Sequence, residues 1–197
     1  MPGPSLIGLT GGIAAGKSEA LRLLAELGAE TISTDAIVHE LLASDAVRDR
    51  LVERWGRDVA PAGRIDRGRV GEIVFEYPDE LAWLESELHP LVAERVDRWR
   101  RGLSDDVRVA VVEVPLLFEG TMAEMFDATI AISAADGERR RRAAARGTGA
   151  LEARGVRQLS QEEKAERATH SVLNDGVIDD LRAELTRIYP ELEAAGG

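Results

Sequence analysis

Cysteine is absent from all 197 residues. That excludes disulfides and thiolate metal sites and fits a reducing compartment, so a cytoplasmic location is expected. Long apolar runs are missing too: nothing approaches the ~20 residues that a bilayer span needs, and no membrane role is expected. The opening MPGPSLIGLT has neither the basic start nor the extended apolar stretch of a secretory signal. Positive charge is in deficit, with 25 Lys plus Arg against 36 Asp plus Glu and a formal net charge of -11. Polyphosphate backbones select basic surfaces, so nucleic acid is not an expected partner. A small anionic ligand stays open if cations gather locally. Lysine itself is scarce, occurring only as Lys17 and Lys164, which draws attention to Lys17. His39 and His170 lack the paired spacing of a metal site.

What remains is ordinary for a globular chain, with 44% hydrophobic and 31% charged residues. The length suits one core, or one core carrying an inserted subdomain. SLIGLT (5–10) is a short β-capable run ending at glycines. SEALRLLAELG follows with apolar residues at helical spacing and Gly28 as a stop. AETIST (29–34) predicts a second strand, and strand, loop, helix, strand opens a parallel α/β sheet. From Ala36 onward the pattern is helical to about Arg101, broken by the turn APAGRID. Strands are predicted within VRVAVVEVPLLFE (107–119), DATIAIS (127–133) and HSVLNDG (170–176). Between the last two lie arginine-rich helical segments, and VIDDLRAELTRIYPELE closes the chain as an amphipathic helix.

Gly11, four residues, then Gly16-Lys17-Ser18 satisfies the phosphate-loop pattern G-x-x-x-x-G-K-[ST], here between a predicted strand and a predicted helix. Small residues at Gly12, Ala14, Ala15 and Gly16, with Ile13 among them, let consecutive N–H groups turn toward phosphate oxygens. The helix that follows adds its positive end. Lys17 would reach the outer phosphates of ATP, and the Ser18 hydroxyl is available to Mg²⁺.

Asp35 follows the second strand, where open α/β sheets bind ligands. A carboxylate there could accept the proton of an attacking hydroxyl; it could equally cap the helix AIVHELL. Arg139, Arg142 and Arg146 recur at i, i+3 and i+7 and so share one helix face. That face could neutralise a transferring phosphoryl group, or it could be a solvated face paired with surplus acids. Arg140 and Arg141 point elsewhere and read as surface.

Seven segments in order resemble the dephospho-CoA kinase family, from Ile7 to about Leu181: LTGGIAAGKS, ISTDAIVHEL, GRIDRGRVGEIVF, LESELHPLV, VPLLFE, the arginine run RRRRAAAR with EARGVRQLSQEEKAERA, and VLNDG. The resemblance implies a three-layer P-loop fold of the nucleoside-monophosphate-kinase kind. Its core would be residues 1–35, 105–135 and 170–197. A helical insertion at 36–104 would receive the acceptor, and an arginine-rich lid at 136–169 would close over ATP. It implies transfer from MgATP to the ribose 3′-hydroxyl of dephospho-coenzyme A, the last step of coenzyme A synthesis. Asp35 would then be the proton acceptor, and Arg142 and Arg146 would bind ATP, with Arg154 and Gln158 also at matching spacing. Asn174 and Gly176 would lie near the adenine. Ser33 departs from the family, which carries an acid there.

Other residues keep two readings. Arg67, beside Asp66, is an acceptor-side cation or half of an exposed ion pair. His89 is an acceptor contact, a cap or a core hydrogen-bonding group. Leu116 and Glu119 would shape the acceptor pocket. Glu113 is a partner of Mg²⁺ through water or a surface-facing strand position. Asn174 and Gly176 also suit a tight turn. Trp55, Trp83 and Trp99 read as core. The rival functions are another P-loop nucleoside or nucleotide kinase and an inactive nucleotide-binding regulator. Monomer and small homo-oligomer are equally compatible with the sequence.

Overall fold

The computed structural model describes residues 3–120, 122–145 and 158–196. The chain divides into two compact units: Met1–Ser33 with Leu103–Gly197, and Thr34–Gly102.

The first unit is built on a parallel sheet of β1 (Ser5–Gly11), β2 (Glu30–Ser33), β3 (Val109–Glu113), β4 (Ala128–Ser133) and β5 (His170–Leu173), in the order β2-β3-β1-β4-β5. Every residue of β1 and β3 is buried. Their near-continuous apolar runs are those of strands covered on both faces. The edge strands β2 and β5 are only partly buried, and their sequences are correspondingly more polar. Helix α1 (Lys17–Glu26) ends near Gly28, whose φ of 106° suits glycine. Leu23 and Leu24 of α1 share one buried cluster with Ile7, Leu9, Ile130 and Ile132 of the sheet. The C-terminal helix supplies Leu181, Leu185, Ile188 and Leu192 to that cluster.

The second unit is helical: α2 (Thr34–Ala43), α3 (Asp45–Trp55), α4 (Arg67–Glu76) and α5 (Pro78–Arg101). Leu84, Leu88, Val92 and Val96 form the buried stripe of α5 at spacings of four. The helix runs through Pro90, which is exposed. Ser44 caps α3 by accepting from the Val47 N–H. The tryptophans differ from the core expectation, being only half-buried. Trp55 and Trp83 meet edge to face at 5.2 Å, Trp55 Nε1 donates to Glu80 Oε2 at 2.8 Å, and Arg54 lies over the Trp83 ring. An indole with a polar end to satisfy sits at a rim more readily than in a closed core.

The first unit also contains α6 (Asp136–Ala145), α7 (Gln161–Arg167) and α8 (Ile178–Ala194). Among the described residues, no helix is long and apolar enough to cross a membrane.

Candidate active site

The loop between β1 and α1 turns twice through left-handed conformations, Ala14 at φ 60° and Gly16 at φ 106°, ψ 23°. Alternation of this kind points successive amides to one side. Ala15 N–H closes onto the Gly12 carbonyl at 3.2 Å. Among the described residues the N–H groups of Ile13, Ala14 and Gly16 have no acceptor, so they are available to an anion. A side chain at Gly16 would collide with the Asn174 amide.

The loop's carbonyls, by contrast, are taken by cations and an amide. Lys17 Nζ donates to Gly11 O at 3.1 Å and Gly12 O at 3.2 Å. Arg139 Nε donates to Ile13 O at 3.0 Å. Ala15 O accepts from Arg142 at 3.3 Å and from Asn174 Nδ2 at 2.8 Å. Arg142 also donates to Asn174 O at 2.9 Å, and Asn174 N–H joins Ser133 O at the end of β4. Three cations and a buried amide thus converge on one anion-binding turn. Ser18 lies exposed in the first turn of α1.

Arg142 and Asn174 are therefore brought to the loop, and Arg140 and Arg141 are exposed. Arg146 and Arg154 lie outside the described residues. Arg139, which its spacing placed on one helix face with Arg142, also touches the loop. Gly176 is exposed and precedes α8, where Asp180 reaches back to the Val177 N–H at 3.1 Å.

Parallel pairing places Ser33 level with Glu113, and Glu113 level with Leu9. The chain therefore leaves β2 at the same sheet edge that carries the phosphate loop. Asp35 comes two residues later, exposed in the first turn of α2. It is not the N-cap, since the helix already begins at Thr34. Glu113 is 7% exposed, which rules out a surface-facing strand position.

Glu119 does not offer a free carboxylate. Lys164, 0% exposed, places Nζ 2.9 Å from Glu119 Oε1 and donates to Pro115 O at 2.6 Å. Leu159 N–H also donates to Glu119 Oε1, at 2.9 Å, while Oε2 is buried with no hydrogen-bond partner among the described residues. An ammonium so buried requires a counter-ion, and the carboxylate supplies it. On the same helix α7, Gln161 bonds both the N–H and the carbonyl of Ala134 at 3.0 Å, and its side chain lies against Gly12. Ser160 and Glu163 form a capping box at the start of α7. The Ser160 backbone N–H, then its hydroxyl, holds the Glu163 carboxyl below its ordinary range.

In the helical unit, Asp66 caps α4 by accepting from the Gly68 and Arg69 N–H groups, and its ion-pair partner is Arg69 at 3.7 Å, not Arg67. Arg67 is exposed. His89 is also exposed, on α5, and so is neither a cap nor a core group. Leu116 is 37% exposed while its neighbour Leu117 is fully buried. Among the described residues, no group of three or more His, Asp or Glu could hold a metal ion.

The sequence pattern of the dephospho-CoA kinase family matches residues 5–180. A dephospho-CoA kinase of Chlorobaculum tepidum is 37% identical over 198 residues, covering 96% of this chain and 95% of that protein. Two solved structures are similar over 96% of this chain. One, from Thermus thermophilus, has a TM-score of 0.78, 31% identity and 98% of its own length covered. The other, a dephospho-CoA kinase from Campylobacter jejuni, has a TM-score of 0.63, 26% identity and 97% covered. With a phosphate-binding turn at the end of β1 and this match over nearly its whole length, the chain belongs to the dephospho-CoA kinase family.

Proposed function

We propose that this chain transfers the γ-phosphoryl group of ATP to the ribose 3′-hydroxyl of dephospho-coenzyme A, giving coenzyme A and ADP in the cytoplasm. The observation that carries this reading is the loop at Gly11–Ser18, its amides open to an anion and its carbonyls held by Lys17, Arg139, Arg142 and Asn174. Phosphoryl transfer passes through a loose transition state, so positioning and charge stabilisation are the main tasks of the protein. The loop amides and Lys17 hold the β- and γ-phosphates. Arg142 offsets charge on the transferring group, with Arg139 beside it. Asp35 aligns the acceptor hydroxyl and takes its proton. Asn174 fixes the loop by its bond to Ala15 O and, with Gly176, borders the adenine.

A magnesium ion fits this arrangement as a companion of the triphosphate rather than as a caged cofactor. Ser18 Oγ is accessible and would hold it together with phosphate oxygens, where it supplies charge neutralisation. The helical unit receives the acceptor, with Arg67, His89 and Leu116 assigned to it, and residues 136–169 act as a lid over ATP. Glu119 takes an indirect part, by holding Lys164.

A coupled assay with ATP and Mg²⁺ tests the proposal by offering dephospho-CoA, AMP, CMP, UMP and nucleosides in parallel. Dephospho-CoA should be the preferred acceptor, and Asp35→Asn should lose at least about 10²-fold in kcat with little change in substrate KM. Preference for a monophosphate defeats the specific reading. Tight binding of both substrates without turnover favours a regulator instead.

A further inference from the structure

Helix α7 backs the start of the phosphate loop with one face. Gln161 and Lys164, three residues apart, lie on that face. Lys164 Nζ donates to Pro115 O at 2.6 Å, and the same carbonyl accepts from the hydroxyl of Thr10, which leads into the loop, at 3.2 Å. Gln161 lies against Gly12 itself. Its amide is anchored at both ends: Nε2 donates to Ala134 O and Oε1 accepts from the Ala134 N–H, each at 3.0 Å. The neighbours of Ala134 are held as well. Ser133 O accepts from the Asn174 N–H at 2.8 Å, and the Ala135 N–H donates to the Asp175 carboxylate. Gln161 is thus tied to an exit of β4 whose own backbone groups are engaged.

This contact explains a glycine. Gly16 is glycine for its backbone, at φ 106°, whereas Gly12 takes no positive φ. At Gly12 the constraint is space. A Cβ there would come within 2.8 Å of Gln161 Cγ, 2.9 Å of Oε1 and 3.0 Å of Cδ. Carbon atoms in favourable contact stand about 3.5–4.0 Å apart. The glutamine could yield only by leaving Ala134, which would break both of its bonds. Gly12 matters to the site because its carbonyl accepts from Lys17 Nζ and from the Ala15 N–H, each at 3.2 Å. Moving Gly12 moves the resting place of the ammonium and the turn that aims the loop amides.

We propose that Gln161 is a positioning residue for the donor phosphates: anchored on Ala134, it fills the space beside Gly12 and sets the loop for the triphosphate of ATP. It acts through Gly12 and Lys17. The inference rests on the loop holding the β- and γ-phosphates, as proposed above. Steady-state kinetics of Gln161→Ala, Gly12→Ala and the double variant test it, with urea unfolding of each.

Gln161→Ala should raise the KM for ATP about tenfold and leave the KM for dephospho-CoA within about twofold, because a slightly displaced loop loses its alignment with the phosphates. Gly12→Ala should lower kcat/KM for ATP by at least about 10²-fold, and adding Gln161→Ala should restore about tenfold of that, because the methyl group then has room. A glutamine that only supports the fold would lower the urea midpoint with both KM values unchanged, and that result overturns the proposal. So does a double variant whose loss equals the product of the two single losses. If Gly12→Ala does not fold, the split between the two KM values in Gln161→Ala decides alone. Titration with MgATP separates this inference from the function. If the wild type binds MgATP without phosphorylating dephospho-CoA, and Gln161→Ala binds it about tenfold more weakly, the function fails and the positioning role stands. If the wild type binds no MgATP, both fail.

Discussion

The Lys17 ammonium rests 3.1 and 3.2 Å from the carbonyls of Gly11 and Gly12, contacts that an incoming phosphate must outcompete. A phosphate oxygen does so readily, since it sets a full negative charge against the ammonium where a carbonyl offers only a dipole. Lys17→Ala should therefore lower kcat/KM by at least about 10²–10³-fold in the coupled assay. The melting temperature should move little, and an active Lys17→Ala enzyme would remove the loop from the mechanism. Gly16→Ala tests the turn itself: the new methyl must be held at positive φ against the Asn174 amide. A loss of about 1–2 kcal/mol in denaturant unfolding is expected, together with a raised KM for ATP. The loop and Lys17 could be read from the sequence because the spacing of glycines and lysine is itself the chemistry. The engagement of Glu119 could not, because Lys164 sits in QEEKAERA, a stretch that reads as a solvated helix face.

At the level of elements, α7 braces the sheet edge. Lys164 reaches the loop after β3, and Gln161 the end of β4. Lys164→Met should destabilise the protein by about 3–5 kcal/mol, because Glu119 is left buried without a counter-ion. Adding Glu119→Gln should recover part of that loss in urea unfolding. A single-variant cost below about 1 kcal/mol would mean that the pair is not a brace. The contact between α3 and α5 predicts a pH effect. The Glu80 carboxyl is held below its ordinary value, first by the hydrogen bond from Arg54 and then by that from Trp55. A depressed carboxyl contributes stability above its unfolded pKa and loses it as pH falls through the lower folded value. Glu80→Gln should thus melt below the wild type at pH 7, and the gap should close below about pH 4. A gap unchanged down to pH 3 would contradict the pairing. The strands were legible to within a residue or two because β1 and β3 are near-continuous apolar runs. The half-buried tryptophans were not, since a helical stripe does not tell rim from centre.

Over the whole chain, the division after Ser33 gives Asp35 to the helical unit and the phosphate loop to the sheet unit. Sequence pattern located that switch from strand to helix within two residues, because apolar residues at helical spacing, such as Ile37 and Leu41, begin there. Spacing also separated Arg139 and Arg142, on one face, from Arg140 and Arg141, read as surface, but it did not reveal which atoms the first two grip. Arg139 and Arg142 are drawn onto backbone carbonyls, while Arg140 and Arg141 lie exposed on the same helix. Which face of α6 meets the loop is a tertiary fact, set by its packing. The central claim is that the Gly11–Ser18 turn delivers the outer phosphate of ATP to an alcohol of the acceptor. Incubation with dephospho-CoA and ATP radiolabelled at the γ-phosphate tests this most directly, with the labelled product located by phosphorus NMR or mass spectrometry. Label should appear on the ribose 3′-oxygen with the wild type and fall to background with Lys17→Ala; label released only as inorganic phosphate, or transfer that persists in Lys17→Ala, would contradict it.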